Sequence, residues 1–236
     1  YWYYQREVAG LQYPIYCRRK GTMEAPEEVL LDENELAKGH AFTQIGVMDV
    51  SPDGAKLAYT VDFTGFRQYT LHVKDLATGQ TRAVTQGFDR SIDSIEWSRD
   101  GRSIIVTAGD TLEEPVFRVD PATGKVTRLT GDGHYGNVSA LPGGGALATM
   151  NNIAAPDDIY RIDAAGRAAK LTDVNRELLS QLDPISYKKF SFKGANGDTV
   201  WGWTLKPSTA TTKLPIAFLV HGGPQGSFSN SWSYRW

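Results

Sequence analysis

Ser51-Pro52-Asp53-Gly54 recurs as Ser98-Arg99-Asp100-Gly101 and, in degenerate form, as Leu141-Pro142-Gly143-Gly144. A second signature, Asp75-Leu76-Ala77-Thr78-Gly79, recurs as Asp120-Pro121-Ala122-Thr123-Gly124 and as Asp163-Ala164-Ala165-Gly166. The two step together, by 43 to 47 residues. Turn signals at a period of about 40–50 residues are what four-stranded propeller blades produce. Asp-Gly favours a tight hairpin because its central positions take positive φ. Between the turns, Tyr69, Leu71 and Val73 alternate with Thr70, His72 and Lys74, a period of two that predicts one buried face. Leu57–Val61 and Ser103–Thr107 fill the preceding strand of their blades.

Outward from these turns, three blades are expected at about 46–88, 92–132 and 135–173. A partial blade precedes them, with strands near Trp2–Arg6, Tyr13–Arg18 and Glu28–Leu31 and a short helix or turn at Asn34–Lys38. About three and a half blades fall short of the 4–8 that closed propellers usually have. The chain is therefore read as mainly β, a partial β-propeller over 1–174. Residues 175–236 read differently. Asn175–Leu182 can form a short helix capped by Asp173 or Asn175, with Pro184 just beyond. Tyr187–Lys193 and Thr199–Lys206 flank Ala195-Asn196-Gly197-Asp198, a hairpin signal. Ile216-Ala217-Phe218-Leu219-Val220 is an unbroken apolar run, as expected of a strand buried on both faces of a parallel sheet. It stops at His221-Gly222-Gly223-Pro224, where two glycines free the backbone to turn sharply and bare its N–H groups.

Composition excludes several function classes. The 236 residues are 41% hydrophobic and 22% charged, an ordinary globular balance. A formal net charge of -2 gives no support for nucleic acid or an anionic membrane as partner. No apolar run reaches the length of roughly 18 residues that a membrane helix needs. The single cysteine, Cys17, allows no internal disulfide and points to a reducing compartment, so a cytoplasmic location is expected, with a periplasmic one open.

A strand followed by His221-Gly222-Gly223-Pro224 and Gln225-Gly226-Ser227-Phe228 resembles the oxyanion loop of the prolyl oligopeptidase family of serine peptidases. Tyr13–Lys20, Glu27–Asp32 and Gly65–Leu71 resemble its oligopeptidase B branch. Leu171–Asn175 and Phe190–Gly194 resemble the dipeptidyl-peptidase and acylaminoacyl-peptidase branch. The resemblance implies an α/β-hydrolase domain capped by a propeller, with 175–236 as its linker helix and first strands. It implies peptide hydrolysis through an acyl-enzyme, with Gly223 and Gly222 as backbone donors of the oxyanion loop and His221 organising that loop. The Gly-x-Ser-x-Gly elbow that carries such a nucleophile is found at no serine of this sequence, and neither triad Asp nor His is assigned. The chain is thus expected to be a piece of a serine peptidase, inactive alone, awaiting the remainder of the hydrolase domain.

Other residues have plainer readings. His40, His72 and His134 read as surface or turn histidines, none with a partner at metal-ligand spacing, so no metal and no cofactor is expected. Gly143-Gly144-Gly145 lacks the Lys-Ser/Thr of a phosphate loop and reads as a blade turn. Asp53 and Asp100 belong to turns. Arg18-Arg19-Lys20 reads as a solvated strand end, and Glu24, Glu27, Glu28, Asp32, Glu33 and Glu35 as a solvated acidic face. Ser227, Ser229, Ser231 and Ser233 lie in a tail with Trp232, Tyr234 and Trp236 that a complete hydrolase domain would bury. The rival reading is a non-catalytic propeller module that binds a protein or peptide, like the bacterial Tol-type repeat propellers. The His-Gly-Gly-Pro strand is the feature that speaks against it.

Overall fold

The computed structural model describes residues 1–223 and 226–233. Pro224, Gln225, Tyr234 and Trp236, all part of the sequence reading above, lie outside the described residues. Strands β1 (Trp2–Arg6), β2 (Ile15–Arg19) and β3 (Glu27–Asp32) form a three-stranded antiparallel sheet, followed by one helical turn, α1 (Glu33–Leu36). Three four-stranded meanders come next. They are β4 (Gln44–Val50) to β7 (Thr81–Ala83), through β5 (Lys56–Asp62) and β6 (Thr70–Asp75); β8 (Ile92–Trp97) to β11 (Val126–Arg128), through β9 (Ile104–Ala108) and β10 (Val116–Val119); and β12 (His134–Ala140) to β15 (Ala168–Lys170), through β13 (Ala146–Asn152) and β14 (Ala155–Ile162). These are the expected blades. Each pairs its strands in sequence order, as a chain of hairpins must.

The turns explain the repeat, with one correction. In Asp53-Gly54 and Asp100-Gly101 only the glycine has positive φ, at 72° and 67°. The aspartate acts through its side chain instead. Asp53 accepts from Ser51 Oγ at 2.6 Å and Ala55 N at 3.0 Å, and Ser51 Oγ in turn accepts from Lys56 N at 2.9 Å. Asp100 and Ser98 repeat the arrangement, with Ser103 N as the last donor. The Ser51 hydroxyl and the Ala55 N–H hold the Asp53 carboxyl below its usual range. Asp75, Asp120 and Asp163 likewise each accept main-chain N–H groups in their own turns.

The two middle sheets, β4–β7 and β8–β11, pack against a neighbour on each face, which overturns the expectation of one solvated face there. Leu30 and Leu31 of the first sheet pack with Leu57, Tyr59 and Val61 of the second. Ala58 and Leu71 pack with Trp97, Ile104 and Val106 of the third, and Ile105 and Val116 with Tyr135 and Ile162 of the fourth. His72 is consequently half-buried and stacks on Tyr59 at 5.4 Å, and burial holds its pKa below the usual histidine range. Arg18 is not a solvated strand end either. It is buried, bonds Glu28 at 2.7 Å and Gly54 O at 2.8 Å, and lies 4.1 Å over the Tyr1 ring. Most of the acidic face is engaged as well. Glu27 pairs with Arg6, Asp32 caps α1 through Asn34 N, and buried Glu33 accepts from Ile45 N.

Past the blades, α2 (Arg176–Leu179) is a single turn. Its N-cap Asn175 makes no side-chain capping bond, and Asp173 instead pairs with Lys170 and Arg176. Strands β16 (Ile185–Lys193) and β17 (Thr199–Pro207) form the expected hairpin in unbroken register, turning through Asn196 and Gly197, both at positive φ. The expected third strand does not form. Ile216–Val220 is unpaired, and Ile216 is 93% and Phe218 79% exposed. A doubly buried parallel strand draws its order from flanking strands and covering helices, and no strand of the described residues pairs with this run. No helix among the described residues is long and apolar enough to cross a membrane.

Candidate functional site

The loop that carries His221, Gly222 and Gly223 is exposed. Gly223 has φ 73°, the left-handed region, and a Cβ built there or at Gly222 would meet nothing within 4 Å. Open space beside two glycines leaves their amides approachable. The His221 ring stands edge-on to Phe228 at 6.2 Å, and its Nδ1 lies 3.4 Å from Gly222 O. His221 thus contacts its own loop and the segment that follows it.

That following segment, 226–233, returns to the propeller, and Asn230 is its anchor. Asn230 is buried and makes three bonds across the chain. Its main-chain N–H donates to Leu112 O at 2.6 Å, its Nδ2 donates to Glu113 Oε2 at 2.8 Å, and its Oδ1 accepts from Ile153 N at 3.1 Å. Trp232 N donates to Asn151 Oδ1 at 3.0 Å. The β16–β17 hairpin joins the same junction. Lys189 Nζ pairs with Glu113 Oε1 at 3.0 Å and sits 5.6 Å over the Trp203 ring, while Trp203 Nε1 donates to Phe228 O at 3.0 Å. Glu113, 2% exposed, also accepts from Gly133 N at 2.8 Å. One buried carboxylate therefore ties the β8–β11 blade, the hairpin and the segment after the glycine loop.

Beside it lies a second acidic group. Glu114 bridges in parallel to His134, and its Oε2 is 3.5 Å from His134 Nδ1. Burial, reinforced by the charge of Asp93, pushes the Glu114 carboxyl up to about 7. Burial also raises Asp93 and lowers His134, although Asp157 and Asp93 pull the histidine back up. His134, the first residue of β12, is half-buried beside Glu114 and so is not a free surface histidine. A carboxyl whose folded pKa lies near 7, against an ordinary 4.5, binds its proton more tightly folded than unfolded. Its contribution to stability is present at low pH and is lost as pH rises from about 4.5 to about 7, a span worth about 3 kcal/mol. Glu114→Gln is thus expected to gain about 2.5 kcal/mol on the wild type between pH 5 and pH 8. Urea denaturation of both chains at the two pH values measures it, and parallel pH profiles would refute it. His134, whose pKa burial lowers, works in the opposite sense, and because its ring lies 3.5 Å from Glu114 the two titrate together.

The sequence reading singled out Gly222, Gly223 and His221 but missed Asn230, Glu113 and Lys189. Their partners lie 117 and 77 residues away for Asn230, beyond any local pattern. The one usable signal was Glu113-Glu114 standing between the apolar strands β9 and β10. None of the four tail serines stands in a Gly-x-Ser-x-Gly elbow, and Ser229 Oγ donates to Ser231 Oγ at 3.1 Å. Among the described residues no group of His, Cys, Asp or Glu could hold a metal ion.

Residues 1–129 match the family described as prolyl oligopeptidase, N-terminal β-propeller domain. The chain belongs to that family. It is 31% identical over 192 residues to the dipeptidyl-peptidase 5 of Porphyromonas gingivalis, covering 79% of this chain and 28% of the relative. It superposes on the acylaminoacyl peptidase of Pyrococcus horikoshii with a TM-score of 0.72 at 18% identity, over 99% of this chain and 35% of that one. On the oligopeptidase B of Leishmania major the TM-score is 0.55 at 21% identity, over 81% of this chain and 28% of that one. The chain spans 28% of the length of the curated relative it matches.

Proposed function

We propose that this chain is the propeller portion, with the first hydrolase strands, of a serine peptidase that cleaves short peptides through an acyl-enzyme. The domains divide at 1–174 and 175–236. The observation that carries the proposal is the anchoring of segment 226–233 on the blades through Asn230 and Glu113. On this reading the anchor keeps the His221-Gly222-Gly223 loop within reach of a substrate admitted by the blades. In the reaction a serine attacks the peptide carbonyl, a histidine moves the proton and an aspartate orients that histidine. The Gly223 N–H, with Gly222 beside it, donates to the oxygen as it gains charge, and His221 keeps the loop in shape. The relative's name, dipeptidyl-peptidase, supports release of dipeptides as the form of cleavage.

The substrate is a peptide, and the nucleophile is a serine in a Gly-x-Ser-x-Gly elbow, which these 236 residues do not contain. The 236 residues alone are expected to be inert, since loss of a nucleophile costs about 10⁶ in kcat in a well-studied serine protease. The test reads the encoding DNA past the Trp236 codon and assays the complete translation product against dipeptidyl chromogenic substrates. Turnover blocked by a serine-directed phosphonate is the expected result, with none from residues 1–236. Phosphonate-sensitive turnover by residues 1–236, or a complete product that ends without the elbow, would overturn the reading.

A further inference from the structure

The turns of the β8–β11 blade that hold Asp100 and Asp120, with the facing turns of the β12–β15 blade, enclose a cleft of about 410 Å³. Three cations line it, Arg102, Arg118 and Lys125, with two carboxylates, Asp100 and Asp120. Among the described residues no ion pair joins these five. The carboxylates serve their own turns instead. Asp100 accepts from Ser98 Oγ at 2.7 Å and Arg102 N at 3.1 Å, and Asp120 from Ala122 N at 2.7 Å and Thr123 N at 3.2 Å. The Ser98 hydroxyl and the Arg102 amide hold the Asp100 carboxyl below its usual range, and the Arg102 charge adds to them. The Ala122 amide and the Thr123 groups do the same for Asp120, and there the Arg82 charge adds to them. Arg102 and Arg82 thus offset the two carboxylates, and Arg118 and Lys125 remain as surplus positive charge.

Arg118 is half-buried and already held in place. Its Nη2 donates to Gly144 O at 3.1 Å and to Ala164 O at 3.0 Å, both on turns of the next blade. Its Nε and Nη1 have no acceptor among the described residues. A planar guanidinium pinned at one nitrogen keeps its other N–H groups in fixed directions, so it loses little freedom when an oxyanion binds. The blade fold does not require these cations. The repeat places Ala55, Val73 and Gln80 of the β4–β7 blade where this blade has Arg102, Arg118 and Lys125, and both blades form the same four-stranded meander. We propose that the cleft binds a small solute through a phosphate or carboxylate group, which accepts from the free N–H groups of Arg118 and from Lys125 Nζ. The Ser103 and Thr127 side chains, also in the lining, offer hydroxyls to the rest of the solute. Because Arg118 runs from β10 to the turns of the next blade, the bound anion also braces the seam between the two.

The probes are inorganic phosphate and citrate, each titrated into the ¹⁵N-labelled full chain at an ionic strength held constant with sodium chloride. Saturable shifts are expected at the Arg102, Ser103, Arg118 and Lys125 amides, and the tighter of the two probes identifies the group as phosphate or carboxylate. Lys125 is exposed and makes no side-chain bond among the described residues, so its variants should fold. Lys125→Gln should weaken binding about tenfold, the loss of one charge-assisted bond. Lys125→Arg should retain it, and Lys20→Gln, which removes the same charge from a distant exposed site, should leave it unchanged. Shifts that never saturate with either probe, equal shifts with chloride alone, shifts centred on other residues, or equal losses for Lys125→Gln and Lys20→Gln would each overturn the proposal.

Discussion

Replacing Glu113 by alanine is expected to destabilise the chain by about 3–5 kcal/mol, the cost of breaking a buried ion pair by removing one partner. The magnitude follows from what is left behind. Glu113 is 2% exposed, and its two oxygens serve Lys189 Nζ, Asn230 Nδ2 and Gly133 N. Without the carboxylate, the Asn230 amide loses a partner in a buried site and Lys189 is left as a lone cation over the Trp203 ring. Thermal unfolding should fall by about 10 °C for a chain of this size. Glu113→Gln retains an acceptor for Asn230 or Gly133 but not the charge, so its loss should be roughly half as large. The two variants separate charge from packing. Hydrogen exchange adds a local readout, because the Asn230 and Trp232 amides should lose protection in both. A loss under about 1 kcal/mol for Glu113→Ala, with those amides still protected, would mean that the segment after the glycine loop is held by something other than this carboxylate.

The blades were legible because propeller physics is local. A turn needs its Gly at positive φ and its Asp or Ser to accept nearby amides, and both needs fall within five residues of sequence. The strand positions follow from spacing between such turns. What was illegible came from the third dimension. His72 and Arg18 read as solvated because alternation along one strand cannot say that a neighbouring blade covers the other face. Asn230 and Glu113 read as unremarkable because their bond spans 117 residues. The failure at Ile216–Val220 has a different cause. An apolar run signals what a segment will bury when partners are present, and no strand of the described residues pairs with it. Its sequence records the environment for which it was selected, and its exposed conformation records the environment it has. Phe218, Leu219 and Val220 are 79%, 69% and 73% exposed just before the glycine loop.

On the proposed peptidase reading, with Gly223 as an oxyanion donor, Gly223→Ala in the complete translation product is expected to lower kcat by about 10²–10³, with KM changed no more than a few-fold. Size is not the reason, since an added Cβ at Gly223 meets nothing within 4 Å. Conformation is. At φ 73° an L-residue pays strain that glycine does not, so alanine favours another backbone angle and swings the N–H away from its aim. An interaction made only as the oxygen gains charge appears in kcat and not in ground-state binding. Gly222 has no positive φ and the same open surroundings, so Gly222→Ala should cost much less, and the pair of variants isolates aim from bulk. Stability supplies the control. Within residues 1–236 the loop is exposed, so neither substitution should shift unfolding by more than about 1 kcal/mol. Equal kcat losses for the two glycines, or a change confined to KM, would remove Gly223 from the oxyanion hole and leave the loop a turn that happens to lie next to the chemistry.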